Sequence, residues 1–159
     1  MDLAASNVAA VMREDFSVLR PEDPVDAVDP IGSELATTRH LVVLDPKGRV
    51  VGILSLRDLL EVSLARLRLP EAERARTPLR PMAVSDLMSR PVETIGPGEV
   101  LAAAANRMIS HRIGCLPVVR KDGVMIGLVT DADLLEAAYC EPPLRDSAST
   151  SGSSSSSRK

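Results

Sequence analysis

Gly127-Leu128-Val129-Thr130-Asp131-Ala132-Asp133-Leu134-Leu135 has a twin earlier in the chain, Gly52-Ile53-Leu54-Ser55-Leu56-Arg57-Asp58-Leu59-Leu60. Each begins as an apolar, β-branched run behind a glycine and ends on Ser or Thr, with Asp three residues further on. Ser/Thr-x-x-Asp ahead of an apolar helical run has the spacing of an N-terminal capping box, so each stretch predicts a strand that turns directly into a helix. Working outward, Val8-Ala9-Ala10-Val11-Met12 aligns with Val84-Ser85-Asp86-Leu87-Met88 at an offset of 76. Pro21 then falls on Pro97, Ala27 on Ala103 and Val42-Val43 on Val118-Val119. From Gly48 and Gly123 onward the offset is 75, which puts a one-residue gap in the intervening turn. The chain is an internal duplication.

Each copy predicts the same order of elements. A segment ending in Met leads to a brief strand, Phe16–Leu19 or Val92–Ile95. A helix follows; Leu101, Ala104, Ala105, Met108 and Ile109 form one apolar stripe at helical spacing. Next comes a hairpin. Leu41–Leu44 and Val50–Leu54 flank Asp45-Pro46-Lys47-Gly48, and Leu116–Val119 and Val124–Val129 flank Lys121-Asp122-Gly123. A second helix closes each copy, from Leu56 to about Leu67 and from Asp131 to about Tyr139. The fold class expected is α+β, two βαββα repeats packed sheet to sheet. Copy one departs from copy two in its first helix. Asp23-Pro24 and Asp29-Pro30 are start signals and Gly32 follows, so a short turn, a break near Pro30 and a helix to about Thr38 are expected. The organisation expected is repeat 1 over 7–68, an Arg/Pro-rich linker with one helical turn over 69–82, repeat 2 over 83–140, and a Ser-rich disordered tail over 141–159.

Composition excludes several classes of function. The net charge of −3 and the two aromatic residues, Phe16 and Tyr139, disfavour a nucleic-acid binder. Apolar runs are too short for a membrane span, and the acidic start does not resemble an export signal, so a cytoplasmic location is expected with Cys115 and Cys140 reduced. His40, His111, Cys115 and Cys140 do not make a metal site. No nucleophile–base constellation accompanies Asp58 or Asp133, so no enzyme is expected.

The paired motifs resemble a tandem of cystathionine-β-synthase (CBS) domains, a Bateman module, over about Asn7 to Tyr139. The likeness rests on the Gly-x-x-Ser/Thr-x-x-Asp stretches, on His111-Arg112-Ile113-Gly114-Cys115-Leu116-Pro117-Val118-Val119, and on His40-Leu41-Val42-Val43. It implies a pseudo-two-fold pair with clefts for adenosine-containing ligands of the AMP, ADP, ATP or S-adenosylmethionine type, with no cofactor required. By that resemblance Asp133 and Asp58 would take ribose hydroxyls, and Thr130 and Ser55 would meet phosphate. Thr94, Ile95, Ile113, Leu116, Pro117 and Gly127 would border the base. Some adenylate-sensing relatives carry a basic residue three positions before the Pro; here that position is Gly114, matched in copy one to Thr38. Arg112, His111 and Arg57 are the substitutes for phosphate.

A plain capping role for Ser55, Asp58, Thr130 and Asp133 stands beside the ligand role, and one group can serve both. Gly52 and Gly127 admit either a base or a neighbouring strand close to the backbone. Copy two, with Leu116-Pro117 where copy one has His40-Leu41, is expected to be the better site, and Asp133→Ala to abolish binding there while leaving the fold intact. The reading that follows is a homodimeric regulatory module acting on a protein partner in trans. Its alternative is a ligand-free dimer or docking scaffold built on Val11-Met12, Leu87-Met88 and the closing helices.

Overall fold

The structure, a computed structural model, describes residues 6–25, 28, 39–76 and 82–139. A 3₁₀ turn, Val8–Ala10, opens the chain. Repeat one contains β1 (Val18–Leu19), β2 (His40–Leu44), β3 (Val50–Ser55) and α1 (Leu56–Leu67). The connector carries α2 (Glu71–Arg76), which matches the expected helical turn. Repeat two contains α3 (Val84–Leu87), α4 (Leu101–His111), β4 (Cys115–Val119), β5 (Met125–Thr130) and α5 (Asp131–Tyr139). Both capping-box motifs sit at a strand-to-helix junction, as their spacing predicts. The broken first helix expected in copy one and the serine tail lie outside the described residues.

β1 pairs parallel with β2, and β2 pairs antiparallel with β3. β4 and β5 form the matching hairpin. The strand expected over Val92–Ile95 is reduced to one parallel bridge, Ile95 with Val118, which repeats the place of β1 beside β2. No helix of the described residues is long and apolar enough to cross a membrane.

The hairpin registers correct the alignment. Val43 lies opposite Gly52 and Val118 opposite Gly127, while His40 faces Ser55 and Cys115 faces Thr130. Val43 is therefore the counterpart of Val118, and the offset is already 75 at His40. Upstream, Leu19 pairs with Val43 as Ile95 does with Val118, which keeps the offset at 76 there. The missing residue lies between Leu19 and His40, not in the hairpin turn. Pro117 is matched by Val42, and Gly114 by Arg39 rather than Thr38.

The leading segments are exchanged between repeats. Val8 N–H donates to the Glu99 carbonyl at 2.8 Å and Ala9 N–H to that of Pro97 at 2.9 Å; Val84 donates to Asp23 at 2.8 Å and Ser85 to Pro21 at 2.9 Å. Val8 is fully buried with Ile95, Leu101, Leu116 and Val129 of repeat two. Val84 and Met88 are buried with Leu41, Val43 and Leu54 of repeat one. A third cluster joins the two sheets: Val42 meets Cys115, Met125 and Leu128, with Phe16, Leu44, Val50 and Ile53 packed around them. The hairpin ends also touch, Met125 N–H donating to the Gly48 carbonyl at 3.0 Å. The apolar sheet faces thus bury each other, as the duplication requires. Cys115 is a core thiol here; burial first, and the Asp131 charge second, push its pKa up to about 12.

The exchange explains the motif glycines. A Cβ on Gly127 would lie 2.8 Å from Met12 Sδ and 3.1 Å from the Arg13 carbonyl oxygen; one on Gly52 would lie 2.7 Å from Met88 Cγ. The close approach is made by the exchanged segments. It also places Met12 and Met88 inside the packing, which removes them from the docking surface expected at Val11-Met12 and Leu87-Met88. Gly127→Ala is expected to destabilise by about 1–3 kcal/mol through overpacking, read as a lower urea midpoint. Gly98→Ala, where a Cβ meets nothing within 4 Å, is expected to shift it by no more than about 0.5 kcal/mol.

Candidate functional site

At the β5–α5 junction the capping box is fully formed. Thr130 donates to Asp133 Oδ2 through its backbone N–H at 2.8 Å and its hydroxyl at 2.7 Å. Asp133 N–H returns a longer bond of 3.3 Å to Thr130 Oγ1. At the β3–α1 junction Ser55 gives Asp58 Oδ2 the same two bonds, at 2.7 and 2.6 Å, and Asp58 N–H reaches Ser55 Oγ at 3.2 Å. The boxes form because the strand's last residue has a hydroxyl that takes an orphan N–H of the helix's first turn, while the carboxylate there takes the N–H and hydroxyl of that last strand residue. In both, the inner carboxylate oxygen is committed.

The outer oxygens differ. Arg13 Nε donates to Asp133 Oδ1 at 2.7 Å, and Asp133 is only 6% exposed. Among the described residues nothing occupies Asp58 Oδ1, and Asp58 is half-buried. Sequence reasoning did not find Arg13, because its partner is 120 residues away. The only signal was the residue after each Met, Arg13 in one copy and Ser89 in the other.

The remaining predicted residues divide. Ile95, Leu116 and Pro117 are almost fully buried; Leu116 and Pro117 are core, and only Ile95 of the three borders an open groove. Ile113 is half-buried against the same core. Gly127 is covered by Met12 and the Arg13 backbone, not by free space. The Thr94 carbonyl accepts from Arg107 Nη1 at 2.8 Å, and Arg107 also pairs with Glu99 at 2.6 Å. Glu99 is held below the ordinary carboxylate range, first by the Gly96 N–H and then by Arg107. An open groove of about 580 Å³ runs past Thr94 and Ile95 toward Glu99 and Lys121; it includes neither Thr130 nor Asp133. Arg112 is exposed at the end of α4 in a left-handed conformation, φ 55°. His111 Nδ1 stands 3.8 Å from Glu93 Oε1, both half-exposed. Arg57 is exposed in the first turn of α1.

Arg39 is the basic group the misplaced gap concealed. Its carbonyl accepts from Leu56 N–H at 3.0 Å, as Gly114's does from Asp131 N–H at 3.0 Å. Its φ of 61° is left-handed, a conformation a long side chain rarely adopts without support. The side chain is exposed and makes no ion pair among the described residues.

Two strand-to-helix junctions of this design, related by a pseudo-two-fold axis and joined by exchanged segments, define a CBS-type pair. The CBS domain model matches residues 8–65 and 84–139, and the chain belongs to that family. It is 30% identical over 132 residues to homoserine O-acetyltransferase of Methanococcoides burtonii, covering 83% of this chain and 24% of that protein. The chain thus spans about a quarter of the length of that curated relative. Among solved structures it resembles CBSX2 in complex with AMP, with TM-score 0.66 and 27% identity over 83% of this chain and 95% of that one. The CBS domain of a CBS domain-containing membrane protein from Sphaerobacter thermophilus is similar too, with TM-score 0.63 and 27% identity over 84% of this chain and 88% of that one.

The burial of Asp133 changes what its removal would do. Asp133→Ala strips the Thr130 cap and leaves Arg13 without its partner, so a cost in stability is expected with the loss of the carboxylate. A loss of about 1–3 kcal/mol in urea unfolding is expected, against about 1 kcal/mol for Asp58→Ala, where only a cap is removed. Equal losses would contradict the inequality of the two boxes.

Proposed function

We propose that the chain is a regulatory module whose repeat-one cleft binds an adenosine nucleotide, AMP being the first candidate, and whose occupancy is relayed to a protein partner. The observation that carries this reading is the outer oxygen of Asp58. It lies beside a helix N-terminus with its inner oxygen fixed by Ser55, and among the described residues nothing takes its two acceptor sites, which suit the vicinal diol of a ribose. Arg39, immediately before β2, is exposed and makes no ion pair among the described residues, its carbonyl accepting from the first N–H of α1, and Arg57 stands in the first helical turn. An Arg fork suits phosphate. The likeness to an AMP-bound CBS pair supports the nucleotide, and S-adenosylmethionine remains the competing ligand of the same chemical class. The module itself performs no chemistry in this reading and acts in the cytoplasm.

The same reading includes a homodimer. Leu56, Leu60, Leu64 and Leu67 form an exposed apolar stripe on α1, at 36, 56, 44 and 63% exposure. Leu135 and Tyr139 repeat it on α5 at 58 and 83%. These exposed faces of the closing helices support a docking role, and a second copy of the chain is the occupant proposed.

Calorimetric titration of the ligand-stripped protein tests the ligand. AMP is expected to give saturable heat, lost in Asp58→Ala and weakened about 10- to 100-fold in Arg39→Ala, the worth of one charge-assisted contact. No heat from AMP, ADP, ATP or S-adenosylmethionine up to millimolar concentration would remove the proposal. Light scattering tests the dimer: twice the chain mass of 17.0 kDa is expected, falling to the single mass in Leu60→Glu/Leu64→Glu. A wild-type monomer at micromolar concentration would contradict it.

A further inference from the structure

We infer that Arg13 decides which of the two clefts accepts a nucleotide, by closing the repeat-two carboxylate that repeat one leaves open. The inference rests on the adenosine reading of the clefts.

The backbone around the two positions is the same. Arg13 N–H donates to the Leu128 carbonyl at 2.8 Å and receives Leu128 N–H at 2.9 Å. Ser89 N–H donates to the Ile53 carbonyl at 2.8 Å and receives Ile53 N–H at 3.1 Å. Each is the residue after the Met that covers a motif glycine, clamped to the edge of the strand that ends in the capping box. Only the side chain differs. Arginine is long enough to reach the carboxylate of the box; serine is exposed and makes no such contact.

Acceptor counting gives the consequence. A carboxylate oxygen offers about two acceptor positions. Asp133 Oδ2 is filled by the two Thr130 donors, and Oδ1 already holds Arg13 Nε at 2.7 Å. One position remains, where a vicinal diol needs two. Displacing Arg13 would leave a nearly buried carboxylate to be re-paired by neutral hydroxyls, and charge-assisted bonds of this length are the stronger ones. Among the described residues Asp58 Oδ1 carries no such partner, so it meets both hydroxyls at no such cost. Arg13 is 44% exposed and its Nη atoms make no bond among the described residues, so it acts as a lid on Asp133 and not as a buried structural strut. Repeat two is then a stabilised junction, and repeat one is the sensing cleft.

The test uses AMP as the probe and counts sites on the full chain. Wild type is expected to bind one AMP per chain and Asp58→Ala none. Adding Arg13→Ser, the residue repeat one carries, to Asp58→Ala is expected to restore one AMP per chain by opening the repeat-two cleft. Arg13→Met in the same background keeps the aliphatic stem and serves if the serine variant unfolds; thermal melting run alongside identifies that case. Two AMP per chain in wild type, or undiminished binding in Asp58→Ala, would overturn the inference. So would no binding in a folded Asp58→Ala/Arg13→Met protein when wild type binds one. No binding by wild type together with one site in the double variant would instead remove the repeat-one reading and leave the role of Arg13 standing.

Discussion

The packing of a methionine onto a glycine, made twice, is the contact on which the arrangement depends. Met12 lies across Gly127 and Met88 across Gly52, so that each repeat's strand edge is covered by the segment that begins the other repeat. Neither repeat can complete its core alone: Val8 belongs to the repeat-two cluster, and Val84 to that of repeat one. The exchange makes one cooperative unit of two short sequences whose separate cores would be small. It also delivers the residue after each methionine to the mouth of the opposite cleft, and so links packing to the chemistry of the site.

The capping boxes are the second layer. They satisfy the orphan N–H groups of the closing helices whether or not a ligand is present. In the proposed function, structural and binding roles are divided between the two oxygens of one carboxylate. The inner oxygen holds the helix start, and the outer one is available or not according to the exchanged neighbour. Two motifs that look equivalent as sequence are thereby made unequal by a side chain that belongs to neither.

Much of the fold is legible in the residues. Hairpins, closing helices and the strand-to-helix junctions follow from β-branched runs, Gly turns and Ser/Thr-x-x-Asp, all of which act within a few residues. The position of the one-residue gap is not legible in this way. Val42-Val43 and Val43-Leu44 fit Val118-Val119 equally well as apolar pairs, and only the opposition of Val43 to Gly52 decides between them. That slip hid Arg39 behind Thr38. The contact of Arg13 with Asp133 and the exchange of segments escaped for another reason: both join residues far apart in sequence, and no local propensity records them. Leu116, Pro117 and Ile95 fit the pattern of a wall as well as that of a core, because an apolar residue in a strand reads the same in both.

The central claim is that the two clefts are chemically unequal. A crystal structure of the protein soaked with AMP tests it most directly. The account predicts a nucleotide with its ribose on Asp58 and its phosphate toward Arg39, while Arg13 still holds Asp133. A nucleotide seated on Asp133, with Arg13 displaced and the Asp58 cleft empty, would contradict it.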